Sequence, residues 1–143
     1  MRDSRGREAD LSRFDRSYSR ALEEIREGRK QSHWMWYIFP QIVGLGLSST
    51  SRFYAIADLE EARAYMQHPM LGAHMIEICG VLLELSVNDA EDVMGYPDDL
   101  KLRSSMTLFS QAVPSVKIFQ QVLDKYFDGK MDQKTLEILG AHT

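Results

Sequence analysis

The sequence predicts an all-α fold: a single compact multi-helical domain of six to eight short helices. Three observations carry that expectation. Apolar residues recur at three- and four-residue steps along most of the 143-residue chain, the spacing of amphipathic helices. Helix start and stop residues, among them Gly28, Asp58, Pro69 and Gly129, fall between these stretches. No segment alternates with a period of two, apart from a weak case in WMWYIF at 34–39.

The elements follow in order. MRDSRGREADLSR mixes both charge signs and has almost no apolar residue before Leu11, so residues 1–10 are read as a flexible lead and 11–140 as the helical domain. Leu11, Phe14, Tyr18, Leu22 and Ile25 then mark one amphipathic helix, stopped at Gly28. The segment SHWMWYIFPQ (32–41) fits either a helix or an extended stretch. The loop QIVGLGLSSTS follows, where Gly44 and Gly46 allow close backbone approach. ADLEEARAYMQHP reads as a helix capped by Asp58, with Glu61 at capping-box spacing, and Pro69 opens the next helix. PMLGAHMIEICGVLLELS is apolar nearly all round and is expected to be the central core helix. NDAEDVMG gives one or two turns. DDLKLRSSMTLF starts a helix with two aspartates favoured by its dipole. SVKIFQQVLDKYFDG and DQKTLEILG complete the set.

Composition narrows the function classes. A hydrophobic share of 44% and a charged share of 27% are those of an ordinary globular domain. A net charge of −4 argues against nucleic acid as a partner. The charge is uneven: residues 1–30 sum to +2 and the remainder to −6. The lone Cys79 lies in an apolar helical stretch and is read as a buried, inert thiol. The start is charged, without the apolar core of a signal peptide, and the longest apolar run, Trp34 to Phe39, is far too short to span a bilayer. A cytoplasmic protein is expected, with no membrane association.

Two stretches can carry chemistry. Between Gln31 and Ala57 the only formally charged side chain is Arg52, so the region must lie inside or line something. Within it Ser32, His33, Trp34, Trp36 and Gln41 are candidate ligand contacts. Buried indoles need hydrogen-bond partners, and His33 supplies a near-neutral titrating group. Ordinary core is the competing reading for most of these rings. The second stretch is DDLKLRSSMT, where Lys101, Arg103, Ser104 and Ser105 near a helix start suit phosphate binding. The competing reading is a solvated face with Asp98 or Asp99 pairing Lys101 or Arg103. His33, Lys101, Asp98 and Asp99 are the catalytic candidates. No metal site and no cofactor is expected: HExxH and CxxC are absent, His68 and His74 flank Pro69 in poor ligand geometry, and His142 is terminal.

GRKQSHWMWYIFPQIVGLGLS, YAIADLEEARAYMQHPMLG and DDLKLRSSMTLF closely resemble the domain-of-unknown-function family 1810, over about Leu11 to Leu139. These are small bacterial proteins that often carry a calpastatin label, which nothing in these residues supports. The resemblance implies a multi-helical cytosolic protein and no particular activity. One departure is visible: RFDRSYSRAL is shorter than the matching family segment, which holds an additional Ala-Gln pair. In pattern alone the chain is also similar to the NADAR superfamily, which includes N-glycosidases of ADP-ribose-type compounds, although its tryptophan-rich acidic signature is missing. That similarity implies His33, Trp34 and Trp36 against a base or ribose, and Lys101 and Arg103 against phosphate. The resulting expectation is a pocket for a nucleotide- or sugar-phosphate-like small molecule, with N-glycoside hydrolysis as its enzymatic form. The alternative is a non-catalytic helical module that binds a protein or forms a homodimer.

Overall fold

The computed structural model describes residues 11–141; the N-terminal lead 1–10 and His142 lie outside the described residues. Among these the chain forms a 3₁₀ turn (Leu11–Phe14) and nine α-helices: α1 (Tyr18–Arg26), α2 (Met35–Ile38), α3 (Ser49–Tyr54), α4 (Leu59–Gln67), α5 (Pro69–Glu84), α6 (Ala90–Met94), α7 (Asp98–Ala112), α8 (Ile118–Phe127) and α9 (Gln133–Ala141). The all-α class stands. The helices α2, α3 and α6 are one or two turns each and account for the number above eight.

The caps are where the side chains predict them. Asp58 accepts the Glu61 amide (2.8 Å) at the start of α4. Glu61 does not return the bond to Asp58. Its Oε1 accepts the Ala57 amide (2.8 Å) and a guanidinium bond from Arg13 (3.2 Å) instead. Pro69 is the first residue of α5, whose free amides at Met70 and Leu71 donate to Nδ1 of His68 (both 3.2 Å).

Two expectations need correcting. The helix read across residues 11–25 is broken. Ser17 adopts the left-handed conformation (φ 57), so the 3₁₀ turn and α1 point differently. The break lets Phe14 pack edge-on against Tyr65 (5.2 Å) while α1 lies on α5. It also brings Arg13 to the Phe53 and Ala55 carbonyls (2.9 and 3.0 Å).

The second correction concerns the centre of the molecule. α5 is buried along Leu71, Met75, Ile78, Cys79 and Leu82, but Met70 and Ile76 face solvent. The more enclosed helix is α7, packed between α4, α6, α8 and α9, with Leu102, Met106, Leu108 and Phe109 wholly buried. Phe109 joins Tyr65 and Phe119 across this core (5.3 and 5.5 Å). Three of its buried hydroxyls cost little because they bond backward within the helix: Ser104 to the Leu100 carbonyl (3.2 Å), Thr107 to Arg103 (2.8 Å) and Ser110 to Thr107 (2.8 Å). Cys79 sits 3.9 Å from the sulfur of Met75 and 3.8 Å from that of Met106; burial pushes its thiol pKa up, which suits an inert packing role.

The segment after Pro40 leaves the helical core and returns to it. Val43 N donates to the Ile56 carbonyl and Ile56 N to the Gln41 carbonyl (both 2.8 Å), an isolated parallel bridge of Ile42 with Ile56. At Gly46 a side chain would meet Cβ and Oγ of Ser51 at 2.7 Å, so glycine is what lets the loop fold onto α3.

Candidate functional site

The aromatic segment resolves into a single helical turn, α2, anchored by a residue outside it. Glu24, on α1 and only 8% exposed, accepts four bonds. The Gln31 amide (2.7 Å), the Ser32 amide (2.9 Å) and the Trp34 indole (2.8 Å) donate to Oε1, and the Ser32 hydroxyl (2.6 Å) donates to Oε2. Burial is the largest influence on its pKa and pushes it up. The Ser32 hydroxyl, the two amides and the indole together outweigh it and hold the carboxyl well below its ordinary value, at about 2. Trp34 is thereby sealed in the core, and the Tyr37 hydroxyl closes the turn on the His33 carbonyl (2.9 Å).

A chain of charges leads outward from this anchor. Lys30 bonds the Ser32 carbonyl (2.5 Å) and Asp98 Oδ2 (2.8 Å), with its ammonium 4.9 Å from the Trp34 ring. The other Asp98 oxygen lies 3.4 Å from the Lys101 ammonium. That ammonium sits 4.2 Å from the centre of the Trp36 ring, a cation–π pair.

Trp36 and Lys101 face a cleft of about 280 Å³. One wall is a single face of α7 and its approach: Pro97, Leu100, Lys101 and Ser104, at helical spacing. The other is Trp36, Gln41, Leu45 and Gly46, and Asp132 and Lys134 close one end. Asp132 is rigidly set, since Oδ2 accepts the Thr135 amide (3.0 Å) and hydroxyl (2.6 Å) at the start of α9, while its own amide donates to Thr107 Oγ1 (2.9 Å). Beside it lies a second hollow of about 640 Å³, lined by Arg103, Lys130, Gln133 and neighbours, which shares Asp132 and Lys134 with the first.

Of the residues singled out from sequence, Trp36, Gln41, Lys101 and Ser104 line the cleft, and Arg103 lines the second hollow. Ser32 and Trp34 are committed to Glu24. His33 is exposed and lines neither hollow. Asp98 stands behind Lys101 as its counter-ion. Asp99 is half-buried and Ser105 fully buried, each with one oxygen lacking a partner, and neither lines the hollows. Sequence reasoning missed Glu24, Lys30, Asp132 and Lys134. A signal for Glu24 did exist: an uncharged segment with an indole and a hydroxyl needs a strong acceptor from elsewhere. The arrival of α9 at the cleft left no such signal.

Residues 8–139 match the family described as "Protein of unknown function (DUF1810)". The chain belongs to the DUF1810 family. This DUF1810 protein is similar to a solved structure, the conserved hypothetical protein Rv1873 from Mycobacterium tuberculosis, at 44% identity and a TM-score of 0.89, covering 92% of this chain and 96% of that one. Comparison with curated proteins gives no match. Among the described residues no helix is long and apolar enough to cross a membrane, and no three His, Cys, Asp or Glu side chains are grouped to hold a metal ion.

Proposed function

We propose that the Trp36–Lys101 cleft binds a small molecule with a planar ring beside a negative charge, of the nucleotide or ribose-phosphate class. The observation that carries this reading is the Lys101 ammonium 4.2 Å from the Trp36 ring on the wall of an open cleft. Trp36, Leu45, Pro97 and Leu100 supply apolar surface, and Gln41, Ser104 and Lys134 supply polar groups. Few polar groups on a largely apolar wall is the usual make-up of a small-molecule site. Asp98 takes one side of Lys101 and leaves its other N–H donors for an anion.

Binding is better supported than hydrolysis. An N-glycosidase needs a carboxylate beside the anomeric carbon to stabilise developing positive charge. Asp132, the carboxylate on the cleft wall, has Oδ2 engaged by Thr135 and only Oδ1 to offer. We place the protein in the cytosol, where the free thiol of Cys79 stays reduced.

Titration of nucleoside monophosphates, followed by tryptophan fluorescence and melting temperature, tests the reading. Lys101→Ala and Trp36→Ala should each weaken binding about tenfold or more. A wild-type protein unresponsive at about 100-fold excess over a micromolar dissociation constant would end it.

A second reading, docking of a protein or of a second copy, is favoured by the exposure of Leu47 (79%), Phe53 (58%) and Tyr96 (72%). Here a Leu47→Ser/Phe53→Ser variant should shift the sedimentation profile while leaving nucleotide binding intact.

A further inference from the structure

We infer that Lys30, which does not line the cleft, is a positioning residue that leaves Lys101 with an unneutralised charge and so selects anionic ligands there. The ligand half of this inference rests on the cleft reading above; the charge half does not. Among the described residues Asp98 is the one carboxylate in ion-pair range of Lys101, and Lys30 competes for it. The competition is uneven. Lys30 Nζ lies 2.8 Å from Oδ2, a charge-assisted hydrogen bond, while Lys101 Nζ stays 3.4 Å from Oδ1. The Lys30 side chain is 7% exposed and that of Lys101 26%, so water screens the Lys30 pair less. Lys30 is also held in place at both ends. Its backbone amide donates to the Val93 carbonyl (2.6 Å), and its ammonium donates to the Ser32 carbonyl (2.5 Å).

One carboxylate between two ammonium groups leaves one positive charge over. Burial decides where it resides. The deeper lysine holds the carboxylate, and the surplus falls on Lys101, 4.2 Å from the Trp36 ring on the cleft wall. Glu24 does not restore the balance. Its oxygens accept from four uncharged donors, and it forms no ion pair with Lys30 among the described residues. At the end of the cleft Asp132 and Lys134 offset one another. Without Lys30, Asp98 would be free to neutralise Lys101 and draw it away from the Trp36 ring. Lys30 thus acts through Asp98, without touching a ligand, and favours an anion beside the ring over a neutral or cationic group.

The titration of the Lys101 ammonium, followed by carbon NMR of labelled lysine side chains, tests the charge half without any ligand. In Lys30→Met, Lys101 should titrate about half a pH unit or more above wild type, because a neighbouring positive charge is gone and Asp98 turns to it. Lys30→Arg keeps the charge and should hold Lys101 near its wild-type value. Lys30→Gln, which keeps a donor for the Ser32 carbonyl, takes the place of Lys30→Met if that variant fails to fold. In binding, the uncharged variant should weaken a nucleoside monophosphate about fivefold or more and leave the unphosphorylated nucleoside unchanged. Simple damage to the fold would weaken both alike. If Lys101 shifts as stated but wild type binds neither compound, the charge setting stands and the cleft reading falls. An unmoved Lys101 in the uncharged variant, a nucleotide affinity equal to wild type, or a parallel loss of nucleotide and nucleoside overturns the inference.

Discussion

Glu24 shows how much one buried carboxylate can organise. Four donors from residues 31–34 converge on it, so the entry to α2 is held by a charge on α1. Its carboxyl titrates near 2 when folded and near 4.5 when unfolded, and a depressed acid favours the folded state above the higher value. The contribution, about 3 kcal/mol, is present in full above pH 4.5 and fades as pH falls towards 2. Denaturant melts across that window should show a steep acid-side loss in wild type and a flatter profile, from a lower starting stability, in Glu24→Gln. The residue escaped sequence reading because a glutamate on an amphipathic helix defaults to solvent; only its neighbours' unmet donors point inward. The two indoles divide the same way. Trp34, a candidate ligand contact by sequence, is buried in the core, and Trp36 is the half-buried one that meets Lys101. Adjacent periodicities could not separate them, since neither a helical nor an extended register leaves a polar side.

At the level of elements, most helices were legible because caps and apolar spacing agree, as at Asp58 and Pro69. The exceptions have physical causes. Hydropathy ranks α5 as the innermost helix because serine and threonine lower the apparent burial of α7, although the hydroxyls of Ser104, Thr107 and Ser110 are satisfied within their own helix. The break at Ser17 was hidden because the apolar spacing continues across it. The corner between α4 and α5 gives a direct test of packing. A side chain at Gly72 would lie 2.1 Å from the Met66 carbonyl oxygen, a backbone atom that cannot step aside. Gly72→Ala should therefore cost more than about 2 kcal/mol by chemical denaturation, against the small gain that alanine usually brings to a helix interior.

For the molecule as a whole, distant pieces are fastened by a few buried polar contacts. Arg13 and Glu61, 8% and 0% exposed in their side chains, tie the first turn to α4. Arg13→Met should cost about 3–5 kcal/mol, because it strands a buried carboxylate, and Arg13→Met/Glu61→Met should recover part of that in equilibrium unfolding. Lys125 and Tyr126 likewise reach from α8 to the Leu83, Leu85 and Leu82 carbonyls at the end of α5. The cleft is assembled from three separate stretches, around Trp36, Lys101 and Asp132. The first two were suggested by their own composition, but nothing local announces that a third, one helix from the C-terminus, completes them. The bridge of Ile42 with Ile56 has a mechanical consequence for that assembly. It closes residues 43–55 into a loop latched at its base by two hydrogen bonds and at its far side by Arg13 on the Phe53 and Ala55 carbonyls, and Leu45 and Gly46 line the cleft from it. Unlatching it disturbs no contact within α7 or α8, so the amides of Val43 and Ile56 should exchange with deuterium at least about a hundredfold faster than those of Met106 or Phe109.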